Sequence, residues 1–141
     1  MRIPLDTFNN EQKIWYCFLV ASAIKADGVI KPEEVKYLIQ AMHFLDTSQK
    51  ARVQNYLKTA KPLLSINTIP VGITRKDLLM IYMELVDVVI SDGILTDQEM
   101  IFLKQVAGLF SISEETYTKL SYWTNEALVL VQRRIELVEK A

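Results

Sequence analysis

The 141-residue chain has one cysteine, one histidine, four glycines, four prolines and a net charge of only −1. Each scarcity excludes something. A lone cysteine cannot build a disulfide framework within the chain. Cys17 stands inside the apolar run from Ile14 to Ile24, which predicts a core position and a reducing compartment. A single histidine, His43, leaves too few nitrogen and sulfur ligands for a zinc centre, and its place near a helix end predicts a capping or packing role. The four glycines include no phosphate-cradling loop. No catalytic residue is nominated, and the chain is read as a binding or interaction module rather than an enzyme.

The balance of sixteen basic against seventeen acidic residues offers no excess of positive charge to hold nucleic acid. The densest basic spot, Arg133 with Arg134, falls near the end of a helix, where the macrodipole favours basic side chains. The apolar run from Ile14 to Ile24 is shorter than the roughly 20 residues of a spanning helix, and it ends in Lys25 and Asp27. Asp6 and Glu11 interrupt the stretch in which a secretory signal would need unbroken apolarity. A chain that does not span the membrane and a cytoplasmic location are therefore expected.

Half of the residues are apolar. A chain of this length buries roughly 68 to 70 % of the surface it exposes when unfolded, so one core needs neither disulfide nor structural metal. The sequence also repeats itself. Asp27, Gly28, Val29 and Ile30, followed by Glu34, recur as Asp92, Gly93, Ile94 and Leu95, followed by Glu99. At the same offset Ile14 falls on Leu79, Val20 on Leu85, Val35 on Met100 and Leu38 on Leu103. An all-α domain over 1–141 is expected, a compact multi-helix bundle of two duplicated helix-loop-helix-helix units. Unit one spans about 9–61 and unit two about 75–139. A connector at 62–74 carries Pro62, Pro70 and Gly72.

Helix boundaries follow from capping chemistry. Asn9 with Gln12, Thr74 with Asp77, and Thr96 with Glu99 are capping-box spacings; Pro32 suits a first helical position; Asp46 or Thr47, and Ser113, open further helices. The first helix is apolar nearly all round and is expected to be the hub. In the helix after Thr74, Leu78, Ile81, Tyr82, Leu85, Val86 and Val89 form the core face, and Met80, Glu84, Asp87 and Ser91 the opposite, solvated one. The last helix is long, with a packing stripe of Leu120, Trp123, Ala127, Val131, Ile135 and Val138. Gly28 and Gly93 are expected to stop their helices in the left-handed conformation.

The repeated aspartate, glycine, apolar residue and glutamate has the spacing of the second half of an EF-hand calcium loop. The first half is absent, since Ala23, Lys25, Val88 and Ile90 stand where oxygen ligands belong. Two readings use every residue. In one, Asp27 and Asp92 at the negative ends of helices, with Glu34 and Glu99 on the next helix, gather hard oxygen ligands for Ca²⁺, Mg²⁺ or Mn²⁺. In the other, the aspartates close turns by bonding the backbone two residues on, and the glutamates complete capping boxes. Lys25 and Lys31 beside the first loop weigh against the cation.

The doubled Asp-Gly, apolar, acidic pattern resembles the tellurite-resistance TerB family and its wider TerB-like superfamily over roughly residues 10 to 140. It rests on Ala26, Asp27, Gly28, Ile30 and Glu34 in one stretch and Ser91, Asp92, Gly93, Leu95 and Glu99 in the other. The resemblance implies an all-helical, non-catalytic domain of stress or tellurite resistance with a divalent cation at Asp27, Glu34, Asp92 and Glu99, and Glu33 as a substitute in the first unit. It also implies a protein partner, as for relatives that occur beside a J-domain in co-chaperones; nothing in it identifies that partner or an oligomeric state. Ser22 stands where the second unit has Asp87.

Overall fold

A computed structural model describes residues 5–59 and 68–140. Among them there are six α-helices and no strand: α1 (Asn10–Lys25), α2 (Pro32–Met42), α3 (Thr47–Lys58), α4 (Arg75–Val89), α5 (Asp97–Leu109) and α6 (Glu114–Glu139), preceded by a short 3-10 turn at Leu5–Thr7. No described helix is long and apolar enough to cross a membrane. Pro62 and most of the expected connector lie outside the described residues; Pro70 and Gly72 lie within them.

The helices begin where the capping chemistry places them. Asn9, Asp46, Thr74 and Thr96 each accept the N–H of the third helical residue while that residue's side chain reaches back to the cap. Ser113 caps α6 by accepting from the Thr116 N–H, and Pro32 occupies the first position of α2. The exception is the cap of α2 itself. Lys31 stands there without a side-chain acceptor, and this lack shapes the site described below.

Helix α1 is the expected hub, with Trp15, Tyr16, Cys17, Leu19, Val20, Ala21, Ala23 and Ile24 all buried, and it packs against α2, α3 and α4. Helix α4 is central too, which the sequence reading does not anticipate. It touches α1, α2, α5 and α6, so neighbours cover both of its faces. Glu84 and Ser91, expected on a solvated side, are therefore buried at 4 % and 8 % exposure, and Asp87 is half-buried. Ser91 satisfies its hydroxyl locally by donating to the Val88 carbonyl at 2.8 Å.

The core stripe of α6 is shorter than expected. Leu120 is buried and Trp123, Ala127 and Val131 pack against the core, but Val138 is 71 % exposed because the helix has by then run past its supports.

Candidate functional site: two acidic loops joined by a lysine

The two loops begin alike. Helices α1 and α4 end at Lys25 and Val89, several residues before the glycines expected to stop them. Their last turns tighten through bonds from Ala26 N–H to the Ala23 carbonyl and from Ser91 N–H to the Val88 carbonyl. Only then does the chain reverse, at Gly28 and Gly93, with φ of +79° and +82°. A residue with a Cβ rarely adopts this region. Asp27 and Asp92 thus sit beyond the helix ends proper. Each turns one oxygen inward to its own loop: Asp27 Oδ1 accepts the Val29 N–H at 3.0 Å, and Asp92 Oδ1 the Ile94 N–H at 3.1 Å. These are the turn-closing bonds of the structural reading.

The other oxygens of both aspartates converge on one cation, the chain's own Lys31. Its Nζ lies 2.8 Å from Asp92 Oδ2 and 3.2 Å from Asp27 Oδ2. The three side chains are 19 %, 7 % and 13 % exposed for Lys31, Asp27 and Asp92, so the pairs are largely withdrawn from water. Hydrogen bonding to Asp92, and then to Asp27, holds the ammonium well above the usual lysine range in spite of its desolvation. Residues 65 positions apart in sequence are in this way tied through a single side chain. The other nearby lysine turns elsewhere: Lys25 donates to the Tyr56 carbonyl at 2.9 Å and lies over the Tyr56 ring.

Behind this bridge lie the two glutamates, each 0 % exposed. They differ in what holds them. Glu99 Oε1 accepts from both the Thr96 N–H at 2.9 Å and the Thr96 hydroxyl at 3.1 Å, while its Oε2 has no hydrogen-bond partner. Glu34 has none at either oxygen, because the cap before it is Lys31, which has no hydroxyl or carboxylate to exchange bonds with. Burial, followed by the neighbouring charge of Glu99, pushes the Glu34 carboxyl up to about 8. The Glu99 carboxyl is also raised, mainly by burial, against the opposing bonds from Thr96. Near neutral pH Glu34 is therefore predominantly protonated, and Lys31 balances one of the two aspartate charges.

The four acidic residues singled out by the repeat thus share one electrostatic neighbourhood. Glu33 is not part of it; it is exposed on the first turn of α2. For a divalent cation, the donors are of the right chemical kind, carboxylate oxygens, three of them buried and unpartnered. Their arrangement is not, since the Lys31 ammonium takes the position between the aspartates. Among the described residues no group of three or more His, Cys, Asp or Glu is spaced to hold a metal ion.

A family model described as tellurite resistance protein TerB matches residues 13–121, which contain both loops and all of α1 to α5 but for the first turn of α1. The chain belongs to the TerB family. No curated protein and no solved structure matches it. Within the TerB domain the remaining chemistry is quiet. Cys17 is 1 % exposed, and burial pushes its thiol up to about 12, away from the reactive thiolate. His43 caps the C-terminus of α2 and meets Phe44 edge to face, with ring centres 5.8 Å apart.

Lys31 is the residue of this cluster that sequence reasoning undervalued. It was legible only as a charge weakening a metal site, although its separation of four from Asp27 is a familiar ion-pair spacing. Its contact with Asp92 needs the fold.

Proposed function

We propose that this chain is a non-catalytic TerB-family interaction domain, built from two duplicated helical units whose acidic loops are latched together by Lys31, and that it presents its helical surface to a protein partner. The latch supplies internally the positive charge that the resemblance assigns to a divalent cation. The observation that carries this reading is the placement of one ammonium within 3.2 Å of both loop aspartates. A charge-assisted bond of this kind contributes about 1.5 to 3 kcal/mol. Glu34, held neutral near pH 7, adds no further negative charge, so the cluster needs less positive charge than four ionised carboxylates would.

A second reading is favoured by a different observation, the three buried carboxyl oxygens of Glu34 and Glu99 without partners. If Lys31 swings out, both aspartates and Glu34 become available to Ca²⁺, Mg²⁺ or Mn²⁺, with release of the Glu34 proton. The two readings separate in a thermal melt of wild type and Lys31→Met with chelator or with each cation in turn. Under the latch reading the wild-type melting temperature is unmoved, and Lys31→Met gains a cation-dependent rise. A ligand at 100 times its Kd adds about 2.7 kcal/mol, a shift of several degrees. A cation-dependent rise already present in wild type overturns the latch reading in favour of the second. Proteins that ignore cations with or without Lys31 leave the acidic residues with turns and caps alone.

A further inference from the structure

Helix α6 carries a second apolar face that nothing in the described residues covers. It runs over 26 residues, yet only Leu120 and Thr124 are buried. On the side away from them Tyr122, Val129, Leu130 and Leu137 are 68 %, 50 %, 64 % and 67 % exposed. A shallow groove lined by Asn125, Glu126, Val129 and Leu130 marks the middle of the face. At about 100° per residue, Tyr122, Glu126, Val129, Leu130, Arg133 and Leu137 all fall within an arc of about 100°, as wide as a normal packing face.

The order of residues along that arc is symmetric in character about a point between Val129 and Leu130. Tyr122 lies as far before this point as Leu137 lies after it, and Glu126 as far before it as Arg133 after it. An identical helix laid antiparallel across the centre therefore sets Tyr122 against Leu137, Glu126 against Arg133 and Val129 against Leu130, each pair occurring twice. This self-complementarity is what an isologous two-fold interface requires. A membrane surface would ask instead for a basic excess on the flanks, and Glu126 and Glu136 offset Arg133 and Arg134. The stripe begins just beyond residue 121, where the TerB family match ends.

We propose that this face binds a second copy of the chain, the two α6 helices pairing antiparallel around Val129 and Leu130, with Glu126 of each copy bonded to Arg133 of the other. The stripe is about 22 Å long at 1.5 Å per residue. Two helices meeting over that length bury on the order of 1,000 Å², the lower limit of a specific interface, so the dimer is a weak one with a Kd on the order of 10 to 100 μM.

Sedimentation equilibrium of the 141-residue chain, from about 1 μM to about 1 mM so as to bracket that Kd, tests it. Four variants accompany the wild type, each checked for unchanged helicity: Glu126→Arg, Arg133→Glu, the two together, and Leu130→Lys. The wild type should pass from monomer to dimer across the range. Either single reversal should weaken the dimer about tenfold, since the two-fold axis places a like-charged pair at two sites at once. The double reversal should restore wild-type affinity, and Leu130→Lys should remain monomeric. A wild type that stays monomeric at the highest concentration overturns the proposal. So does a dimer indifferent to the single reversals, or one that the double reversal fails to rescue, because association would then use another face.

Discussion

Raising the pH should loosen this fold through Glu34, and the size of the effect can be worked from its surroundings. In the unfolded chain the carboxyl titrates near 4.5; in the folded one, buried without a hydrogen-bond partner, near 8. Between these values the unfolded state has given up the proton and the folded state keeps it. Stability is thus fully present below about 4.5, falls as pH rises, and levels off only above about 8. The slope is about 1.4 kcal/mol per pH unit, so from pH 5 to pH 8 this one side chain removes about 3 kcal/mol. That is a large part of the roughly 5 to 15 kcal/mol typical of a domain. Glu99, raised in the same direction, adds to the trend. Glu34→Gln replaces the protonated acid with an amide that does not titrate. Urea unfolding of both proteins at pH 5, 6, 7 and 8 should show wild type losing stability with a steeper slope, and the difference between the two curves should change by about 3 kcal/mol over the series. A constant offset means that Glu34 titrates normally, and the account of its burial is then wrong.

The two loop glycines should not be equivalent. Gly28→Ala meets nothing within 4 Å and suffers only the strain of its positive φ, about 1 to 2 kcal/mol. Gly93→Ala carries the same strain and in addition brings its Cβ to 3.0 Å from Ile135 Cδ1, so it should melt lower; equal melting temperatures would show that the tip of Ile135 moves aside at no cost. Cys17, with its thiol near 12 and 1 % of its surface exposed, should react with a thiol reagent at pH 8 at least about a thousandfold more slowly than a free cysteine, and rapid labelling would refute its core position.

How much of this was legible in the sequence depended on how local the physics was. Caps at Asn9, Thr74, Thr96 and Ser113 involve groups three residues apart, and all four form; of the alternatives Asp46 and Thr47 it is Asp46 that caps α3. The turn-closing role of Asp27 and Asp92 is local in the same way. Membership of the TerB family, legible from the doubled motif, is shown by the match over residues 13–121. What failed was what depended on neighbours distant in sequence. Helix α4 has a good apolar face and a second face that reads as polar, yet contacts from α1, α2, α5 and α6 enclose both. Glu34 and Glu99 occupy the same place in the repeat, and only the identity of the residue three positions earlier, Lys31 against Thr96, separates an unbonded carboxyl from a capped one. The contact between Lys31 and Asp92 crosses from one half of the chain to the other and has no local signature.

A double-mutant cycle on Lys31 and Asp92 addresses that contact without intermediaries. Lys31→Met, Asp92→Asn and the pair together, compared with wild type by urea unfolding at pH 6, should give a coupling of about 1 to 2 kcal/mol, with Asp27→Asn giving a smaller one in its own cycle in keeping with its longer distance. Additive losses, with no coupling between Lys31 and Asp92, would mean that the ammonium does not join the two loops.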